Sequence, residues 1–310
     1  MRAFVFPGQG SQFVCMGKDL AGAFPAAREV FQEVDETLRQ NLTKIMFEGP
    51  ESDLNLTENT QPALMAVSLA VARVLEQAQP GIFKTAKCMA GHSLGEYSAL
   101  TAAGAFTLKD AAMLLRTRGL AMQKAVPVGV GAMAAILGLE IDDVLAIVKD
   151  AGGTDVIAAA NDNSYGQIVV SGHKAAVEKA VALAAAKGAK RAVMLPVSAP
   201  FHCPLMQPAA DAMKDALAKV AVRTPVVPLV ANITAGFVTN PDQIRDLLVR
   251  QVTGMVRWRE SVLYMKEQGV SDIIELGAGK VLAGLTRRID KDLAGRSIGT
   301  PQDIDAFLGE

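Results

Sequence analysis

The clearest chemistry in this sequence belongs to a serine placed two residues from a glycine on each side. Residues 91 to 95 read GHSLG, which fits the G-x-S-x-G pattern of a nucleophile elbow centred on Ser93. In such an elbow, a sharp turn between a strand and a helix exposes the serine oxygen, and the backbone N–H of the next residue faces a developing oxyanion. An ordinary glycine turn fits the same residues, but the strand-like TAKCMAGHS and the helix-like SLGEYSALTAAGAF around them favour the elbow.

A serine nucleophile needs a base, and the chain has 3 histidines. His92 lies beside Ser93 on the elbow, so its ring is expected to point away from the serine oxygen and to have a structural role. His173 begins a predicted helix, where a solvated or capping role is expected. His202 follows a predicted strand in a loop framed by prolines, and such a rigid backbone can aim an imidazole. By elimination, His202 is the candidate base.

The group that would orient the imidazole is not evident from the pattern. In α/β-hydrolases an acid lies between the serine and the histidine in chain order. That interval contains several aspartates, none convincingly placed, within a predicted inserted domain: Asp142, Asp143, Asp150, Asp155 and Asp162. A backbone carbonyl can orient an imidazole as well, and the sequence leaves the two alternatives open.

A second glycine turn, PGQGSQ, ends the apolar segment at the start of the chain. If the two strands are neighbours, this turn can present backbone N–H groups near the elbow and complete an oxyanion hole with the amide of Leu94. A plain turn is equally compatible with the sequence. Neither GQGSQF nor GAGKVL has the spacing of a dinucleotide or P-loop motif, so nucleotide binding has weak support.

The helical segment DAAMLLRTRGLAMQKAV carries two arginines, Arg116 and Arg118, and Arg118 has the more apolar neighbours by a modest margin. The neighbours of Arg118 at helical spacing are Leu114, Leu115, Ala121 and Met122. An arginine among such side chains must find an anion or extend its charge to solvent. The functional interpretation is a planar, bidentate fork for a substrate carboxylate, and the alternative is a structurally paired or snorkelling arginine.

The elements around these residues predict an α/β fold. RAFVF and TAKCMAGHS read as parallel strands, and the helical segments AAREVFQEVDETLRQ and QPALMAVSLAVARVLEQA supply the crossovers that they need. Residues 131 to 196 read as strand, helix, strand, strand, helix, strand, which is the ferredoxin-like βαββαβ order. We therefore expect a large α/β-hydrolase-like domain with a parallel sheet, residues 1–127 and 197–310, and an inserted ferredoxin-like domain, residues 128–196.

Composition excludes several classes of protein. Of the 310 residues, 50% are hydrophobic and 20% charged, which is typical of one or two globular domains. A net charge of -1 removes the electrostatic case for nucleic-acid binding. No apolar run is long enough to predict a membrane-spanning helix, so we expect no membrane association. The apolar run at the start of the chain is too short for a signal peptide. The 3 cysteines are isolated in the sequence, so they suggest neither a disulfide framework nor a zinc site. We expect a cytoplasmic protein with no metal and no cofactor.

Five motifs together resemble one family. GHSLGEYSAL, FVFPGQGSQ, TENTQPAL, VPVGVGAMAAILGL and SAPFHCPLM closely resemble segments of the malonyl-CoA:acyl carrier protein transacylases of fatty acid synthesis and of the acyltransferase domains of polyketide synthases. The resemblance runs from about residue 3 to about residue 290. Five motifs in register are far more specific than any one of them.

The resemblance implies catalytic roles for matching positions. Ser93 matches the acylated nucleophile and His202 its partner base in a Ser-His dyad. In this family a backbone carbonyl orients the imidazole, and Gln251 is the matching residue. Gln9 and Leu94 match the two backbone donors of the oxyanion hole.

The resemblance also implies binding roles. Arg118 matches the arginine that binds the malonyl carboxylate, which agrees with the helical pattern. Gln61 and Asn163 match positions near the site. Phe201, just before the histidine, matches the type that accepts malonyl rather than methylmalonyl. Small departures, such as Tyr165 in place of a usual proline, fall in loops.

The implied function is transfer of a malonyl group from malonyl-CoA to the phosphopantetheine thiol of a holo acyl carrier protein, by ping-pong kinetics and as a monomer. A trans-acting polyketide acyltransferase shares this chemistry and is the main alternative. A serine thioesterase or esterase would explain the elbow and the histidine, but neither the inserted domain nor the arginine.

Overall fold

Two sheets form the framework of the chain. The structure is a computed structural model that describes residues 1–197 and 199–309; Ser198, the first residue of the SAPFHCPLM motif, and Glu310 lie outside the described residues. Within the described ranges there is one six-stranded sheet and one four-stranded sheet. The fold is therefore mixed α/β, as the sequence predicts.

The larger sheet is parallel except at one edge. Its strands are β1 (Arg2–Phe6), β2 (Cys88–Gly91), β7 (Leu229–Ala231), β8 (Gly236–Val238), β9 (Asp272–Leu276) and β10 (Ala294–Ile298). The order is β10-β9-β1-β2-β7-β8, and only β8 runs antiparallel to its neighbour. The central β1 and β2 are almost continuously apolar, because helices cover both faces of a parallel sheet.

The smaller sheet is antiparallel and comes from one stretch of chain. It contains β3 (Gly131–Leu137), β4 (Ile157–Ser164), β5 (Gln167–His173) and β6 (Arg191–Met194), with α8 (Ile141–Gly152) after β3 and α9 (Lys174–Ala186) after β5. The strand order is β4-β5-β3-β6, and every neighbouring pair is antiparallel. The six elements follow one another in the order that the sequence predicts.

Helices flank the larger sheet. They are α1 (Lys18–Ala23), α2 (Pro25–Leu38), α3 (Leu42–Glu48), α4 (Glu51–Leu54), α5 (Thr57–Ala78), α6 (Gly95–Ala102), α7 (Leu108–Lys124), α10 (Gln207–Leu217), α11 (Pro241–Gln251), α12 (Trp258–Glu267), α13 (Val281–Ile289) and α14 (Pro301–Leu308). α5 is buried along most of its length and packs against α2 and α7. In the described part of the chain, no helix is both long and apolar enough to cross a membrane.

The sheet topology brings the two glycine turns together. β1 and β2 are adjacent and parallel, with Phe6 paired to Gly91, so PGQGSQ and GHSLG leave the same edge of the sheet. The smaller sheet is joined to the larger unit by an isolated bridge between Asn161 and Val256 and by an ion pair between Asp162 and Arg259. A cleft between the two sheets opens over the elbow.

Candidate active site

The elbow is a strained turn that only glycines can enclose. β2 ends at Gly91 and α6 begins at Gly95, and Ser93 between them has a φ of 54°, which is unfavourable for a residue with a Cβ. A Cβ on Gly91 would lie 1.9 Å from the carbonyl oxygen of Gly95, and a Cβ on Gly95 would lie 2.2 Å from that of Phe6. Close backbone packing therefore holds the serine at the tip of the turn.

Ser93 and His202 are in hydrogen-bonding contact. The distance between Ser93 Oγ and His202 Nε2 is 2.8 Å. The other ring nitrogen, Nδ1, lies 2.9 Å from the carbonyl oxygen of Gln251 and 3.1 Å from that of Gly254. Because carbonyl oxygens only accept, Nδ1 carries the proton and Nε2 is left to accept one from the serine.

Burial keeps the imidazole neutral. His202 is 4% exposed, and burial, followed by the positive charge of Arg118, lowers the pKa of His202 to about 3. The ring is therefore uncharged at neutral pH and available as a base. Its backbone, like that of Ser93, has a positive φ, of 58°.

The aspartates considered from the sequence do not orient this ring. Asp162 forms an ion pair with Arg259 at 2.8 Å, Asp155 lies 3.2 Å from His173, and Asp143 pairs with Lys187. The remaining two, Asp142 and Asp150, are exposed. Of the two alternatives that the sequence left open, the geometry favours the carbonyl oxygens.

Two residues that line the cavity have backbone amides without acceptors in the described chain. Gln9, on the turn after β1, and Leu94, after the serine, both line the cavity that contains Ser93 and His202. Among residues 1–197 and 199–309, neither the N–H of Gln9 nor that of Leu94 has an acceptor. Unpaired N–H groups beside a nucleophile can bind an oxyanion.

A buried arginine completes the cluster. Arg118 is 1% exposed, and its Nη1 donates to Gln61 Oε1 at 2.8 Å. Its Nη2 donates to Gln251 Oε1 at 2.8 Å and to Ser93 Oγ at 3.1 Å. Within the described chain, no carboxylate forms an ion pair with Arg118, and its Nε has no partner. A buried guanidinium paired only with neutral groups is prepared for an anionic ligand.

The cavity around these groups has a volume of about 510 Å³ and a lining of both apolar and polar side chains. The smaller sheet contributes Met133 and Val169, and the histidine loop contributes Phe201, which is 8% exposed. The smaller sheet also contributes Asn163 and Gln167, and the larger unit contributes the polar groups described above. An acyl thioester could thus bind with its polar carbonyl near Ser93 and its arm along the cleft.

Comparison with known proteins identifies the family. The profile of the acyl transferase domain family matches residues 3–293. The malonyl CoA-acyl carrier protein transacylase of Escherichia coli is 48% identical over 306 residues, which are 99% of this chain and 98% of that protein. The chain belongs to the malonyl-CoA:acyl carrier protein transacylase family. The protein is thus an acyltransferase.

Solved structures agree with the enzyme's fold. The crystal structure of an acyl-carrier-protein-S-malonyltransferase from Bartonella henselae is 55% identical, with a TM-score of 0.97, and the match covers 100% of this chain and 99% of that chain. A malonyl-transacylase solved in complex with its type II PKS acyl-carrier protein is 42% identical, with a TM-score of 0.96 over 99% of both chains.

The other two histidines of the enzyme lie outside the dyad. His92 Nε2 is 2.8 Å from Asn163 Oδ1, and its ring lies beside that of Trp258, so the prediction of a hydrogen-bonded structural residue is confirmed. His173 immediately precedes α9, but its side chain forms no cap; Nδ1 accepts from the backbone N–H of Val156 at 3.0 Å. Of the two roles predicted for His173, side-chain capping is wrong, while the 31% exposed side chain agrees with partial solvation.

Sequence reasoning missed two buried polar residues beneath the elbow. Glu96 and Asn232 are 1% and 0% exposed, and Asn232 Oδ1 accepts from the N–H of Ser93 at 2.8 Å. Burial raises the pKa of Glu96 to about 7, while hydrogen bonds from Gln251 and Asn232 and the charge of Arg118 lower it. The available signal was an acidic residue within an otherwise apolar helix, which a solvated face explains equally well.

Proposed function

We propose that the enzyme transfers a malonyl group from malonyl-CoA to the phosphopantetheine thiol of an acyl carrier protein through a malonyl ester of Ser93. One observation carries the proposal: Ser93 Oγ lies 2.8 Å from His202 Nε2 and 3.1 Å from Arg118 Nη2. A base and a carboxylate fork thus contact the same nucleophile. The names of the relatives, malonyl CoA-acyl carrier protein transacylases, agree with this donor and acceptor.

In the first half-reaction, Ser93 Oγ attacks the thioester carbonyl and its proton moves to His202 Nε2. The carbonyl electron pair moves to oxygen, and the amides of Gln9 and Leu94 stabilise the resulting oxyanion. When the carbonyl re-forms, the carbon–sulfur bond breaks and the coenzyme A sulfur takes the proton from His202. The carbonyl of Gln251 keeps the ring oriented during both transfers.

The second half-reaction runs in the reverse sense with a different thiol. The carrier's thiol gives its proton to His202 Nε2 and its sulfur attacks the malonyl ester. A second oxyanion forms at the same two amides, and Ser93 Oγ leaves and takes back the proton. Since one product leaves before the second substrate reacts, the kinetics are ping-pong.

Selectivity arises from the arginine and from the wall of the cavity. Arg118, held by Gln61, binds the malonyl carboxylate, which an acetyl group lacks. Without that anion the buried guanidinium keeps an unsatisfied Nε, at a cost of about 1 to 3 kcal/mol. Phe201 limits the room beside the reacting carbonyl and favours malonyl over branched acyl groups.

Intact-protein mass spectrometry tests the proposal. Brief mixing with malonyl-CoA, beside acetyl-CoA, is expected to give a malonyl adduct preferentially, and holo acyl carrier protein is expected to remove it while gaining the same mass. Ser93→Ala, the control, forms no adduct. An adduct lost to water equally fast with and without the carrier would instead support a thioesterase.

The finer description of the fold belongs to this proposal. The strand order β4-β5-β3-β6 and its antiparallel pairing support a ferredoxin-like insert at residues 128–196, within a larger domain formed by residues 1–127 and 197–310. The cytoplasmic location and the monomeric state stay predictions. The family resemblance implies fatty acid synthesis as the pathway. A polyketide carrier is the alternative acceptor, as in the solved complex of a malonyl-transacylase with a type II PKS acyl-carrier protein.

A further inference from the structure

A glutamate that does not reach the cavity lies beneath the nucleophile. Glu96, in the first turn of α6, is 1% exposed and does not line the cavity. Its Oε2 accepts from Gln251 Nε2 at 2.7 Å and from the backbone N–H of Asn232 at 3.3 Å. The Glu96 carboxyl group takes no part in either of the two half-reactions proposed for this site.

The carboxyl group is one of three partners that favour a single orientation of the Gln251 amide. Gln251 Nε2 donates to Glu96 Oε2 and to the carbonyl oxygen of Ser93 at 2.9 Å, and Gln251 Oε1 accepts from Arg118 Nη2 at 2.8 Å. If the amide flipped, its oxygen would face two acceptors and its NH₂ would face the guanidinium. Because buried polar groups left without partners are costly, this orientation is strongly preferred.

The amide of Gln251 joins the two functions of the site. Its Oε1 holds Arg118 Nη2, which also contacts Ser93 Oγ. Its backbone carbonyl accepts from His202 Nδ1 at 2.9 Å. The backbone contact is fixed by the chain itself, whereas the side-chain contact depends on the orientation of the amide. Loss of that orientation would therefore affect Arg118 more than His202.

We propose that Glu96 is a positioning residue that orients the side-chain amide of Gln251 and thereby holds Arg118 beside Ser93, so that preference for a carboxylated acyl group depends on a side chain that does not touch the substrate. The inference rests on the proposed role of Arg118 in binding the malonyl carboxylate. An acceptor oxygen at this position is the feature required. A protonated carboxyl group, which the raised pKa of Glu96 makes accessible, still presents its carbonyl oxygen.

Two substitutions separate positioning from simple filling of the core. Glu96→Gln keeps an acceptor oxygen at the same distance along the side chain, whereas Glu96→Leu removes it. Glu275→Leu is the matched control, since Glu275 is also fully buried and accepts a backbone hydrogen bond, from Ala283, but lies outside the cavity lining. The readout is the ratio of kcat/KM for malonyl-CoA to that for acetyl-CoA in formation of the acyl-enzyme.

The ratio of kcat/KM for malonyl-CoA to that for acetyl-CoA is expected to differ between Glu96→Leu and Glu96→Gln. Glu96→Leu lowers the ratio about tenfold or more, the scale of one hydrogen bond to a charged group, while Glu96→Gln stays within about threefold of the parent. The control Glu275→Leu lowers the melting temperature without changing the ratio. Equal losses with both substrates in Glu96→Leu, or a loss in Glu96→Gln as large as in Glu96→Leu, would overturn the inference.

Two further variants keep the test decisive. Gln251→Leu removes the amide but keeps the backbone carbonyl, so it must reproduce the loss of selectivity even if Glu96→Leu fails to fold; an unchanged ratio would overturn the inference. Arg118→Ala tests the proposed function itself. If the ratio falls in Arg118→Ala but not in the Glu96 or Gln251 variants, the role of Glu96 alone is refuted. If the ratio is unchanged in Arg118→Ala, the carboxylate site is refuted, and this inference with it.

Discussion

Arg118→Ala is the substitution whose effect should differ most between substrates. In the free enzyme the guanidinium donates to Gln61, Gln251 and Ser93. No described carboxylate forms an ion pair with it, and Glu96 acts on it only through space. The malonyl carboxylate is the missing anion in the proposed reaction. If it forms two charge-assisted hydrogen bonds at about 1.5 kcal/mol each, the loss is about 3 kcal/mol, or about 150-fold in kcat/KM for malonyl-CoA.

Acetyl transfer should fall much less with the same substitution. An acetyl group makes no contact with the guanidinium, so among the reacting groups only Ser93 Oγ loses a hydrogen bond, and the expected effect is below about tenfold. The hydrogen bonds to Gln61 and Gln251 are lost equally for both substrates. Removing the positive charge raises the pKa of His202, but burial, the larger cause of its depressed pKa, remains. His202 therefore stays neutral at pH 7 and can still act as the base in the reaction with acetyl-CoA.

Rapid mixing with each acyl-CoA, followed by acid quench and intact-protein mass, measures both rates of acyl-enzyme formation. Arg116→Ala is the control on the same helix, because Arg116 donates to Asn59 and does not line the cavity. It should leave both rates within about threefold, because Arg116 contacts neither the cavity nor the side chains around Ser93. Equal losses for malonyl and acetyl in Arg118→Ala would refute the reasoning.

Two other predictions concern the elbow and the base. Gly95→Ala places a Cβ 2.2 Å from the carbonyl oxygen of Phe6, so it should lower the free energy of unfolding by about 2 kcal/mol or more. Denaturant titration measures this change, and unchanged stability would contradict the close packing of the turn. In the native state His202 stays unprotonated down to a pKa of about 3, while the unfolded chain takes up a proton near pH 6.5, so stability decreases as pH falls between these values. From pH 6.5 to pH 5 the parent should lose about 1.6 kcal/mol more unfolding free energy than His202→Gln. Parallel curves would show that the native ring takes up its proton in the same range.

Local patterns predicted the parts of the site that neighbouring residues determine. The elbow is a short-range feature, because the same few residues supply both the turn and its close backbone contacts. The four strands and two helices within residues 131 to 196 were predictable in order for the same reason, since each is a local segment of the sequence. The helical face of Arg118 gave only a modest preference over Arg116, yet the structure buries Arg118 fully and leaves Arg116 half-buried.

Contacts between distant parts of the chain were not predictable. His202 is oriented by carbonyl oxygens 49 and 52 residues away, and no side-chain pattern reports the direction of a backbone carbonyl. Glu96 meets the backbone of Asn232 across 136 residues, only because β7 lies beside β2 in the sheet. Gln251 could be assigned only through the family resemblance, since its burial depends on how α11 packs.

The central claim, that Ser93 is acylated and that His202 activates it, is tested most directly by locating the acyl group. The enzyme would be mixed briefly with malonyl-CoA, quenched in acid, digested and mapped by tandem mass spectrometry. The account predicts a malonyl ester on the peptide containing GHSLG, at Ser93, with its rate of formation reduced about a hundredfold or more in His202→Gln. A malonyl group on any other residue, or an undiminished rate in that variant, would contradict it.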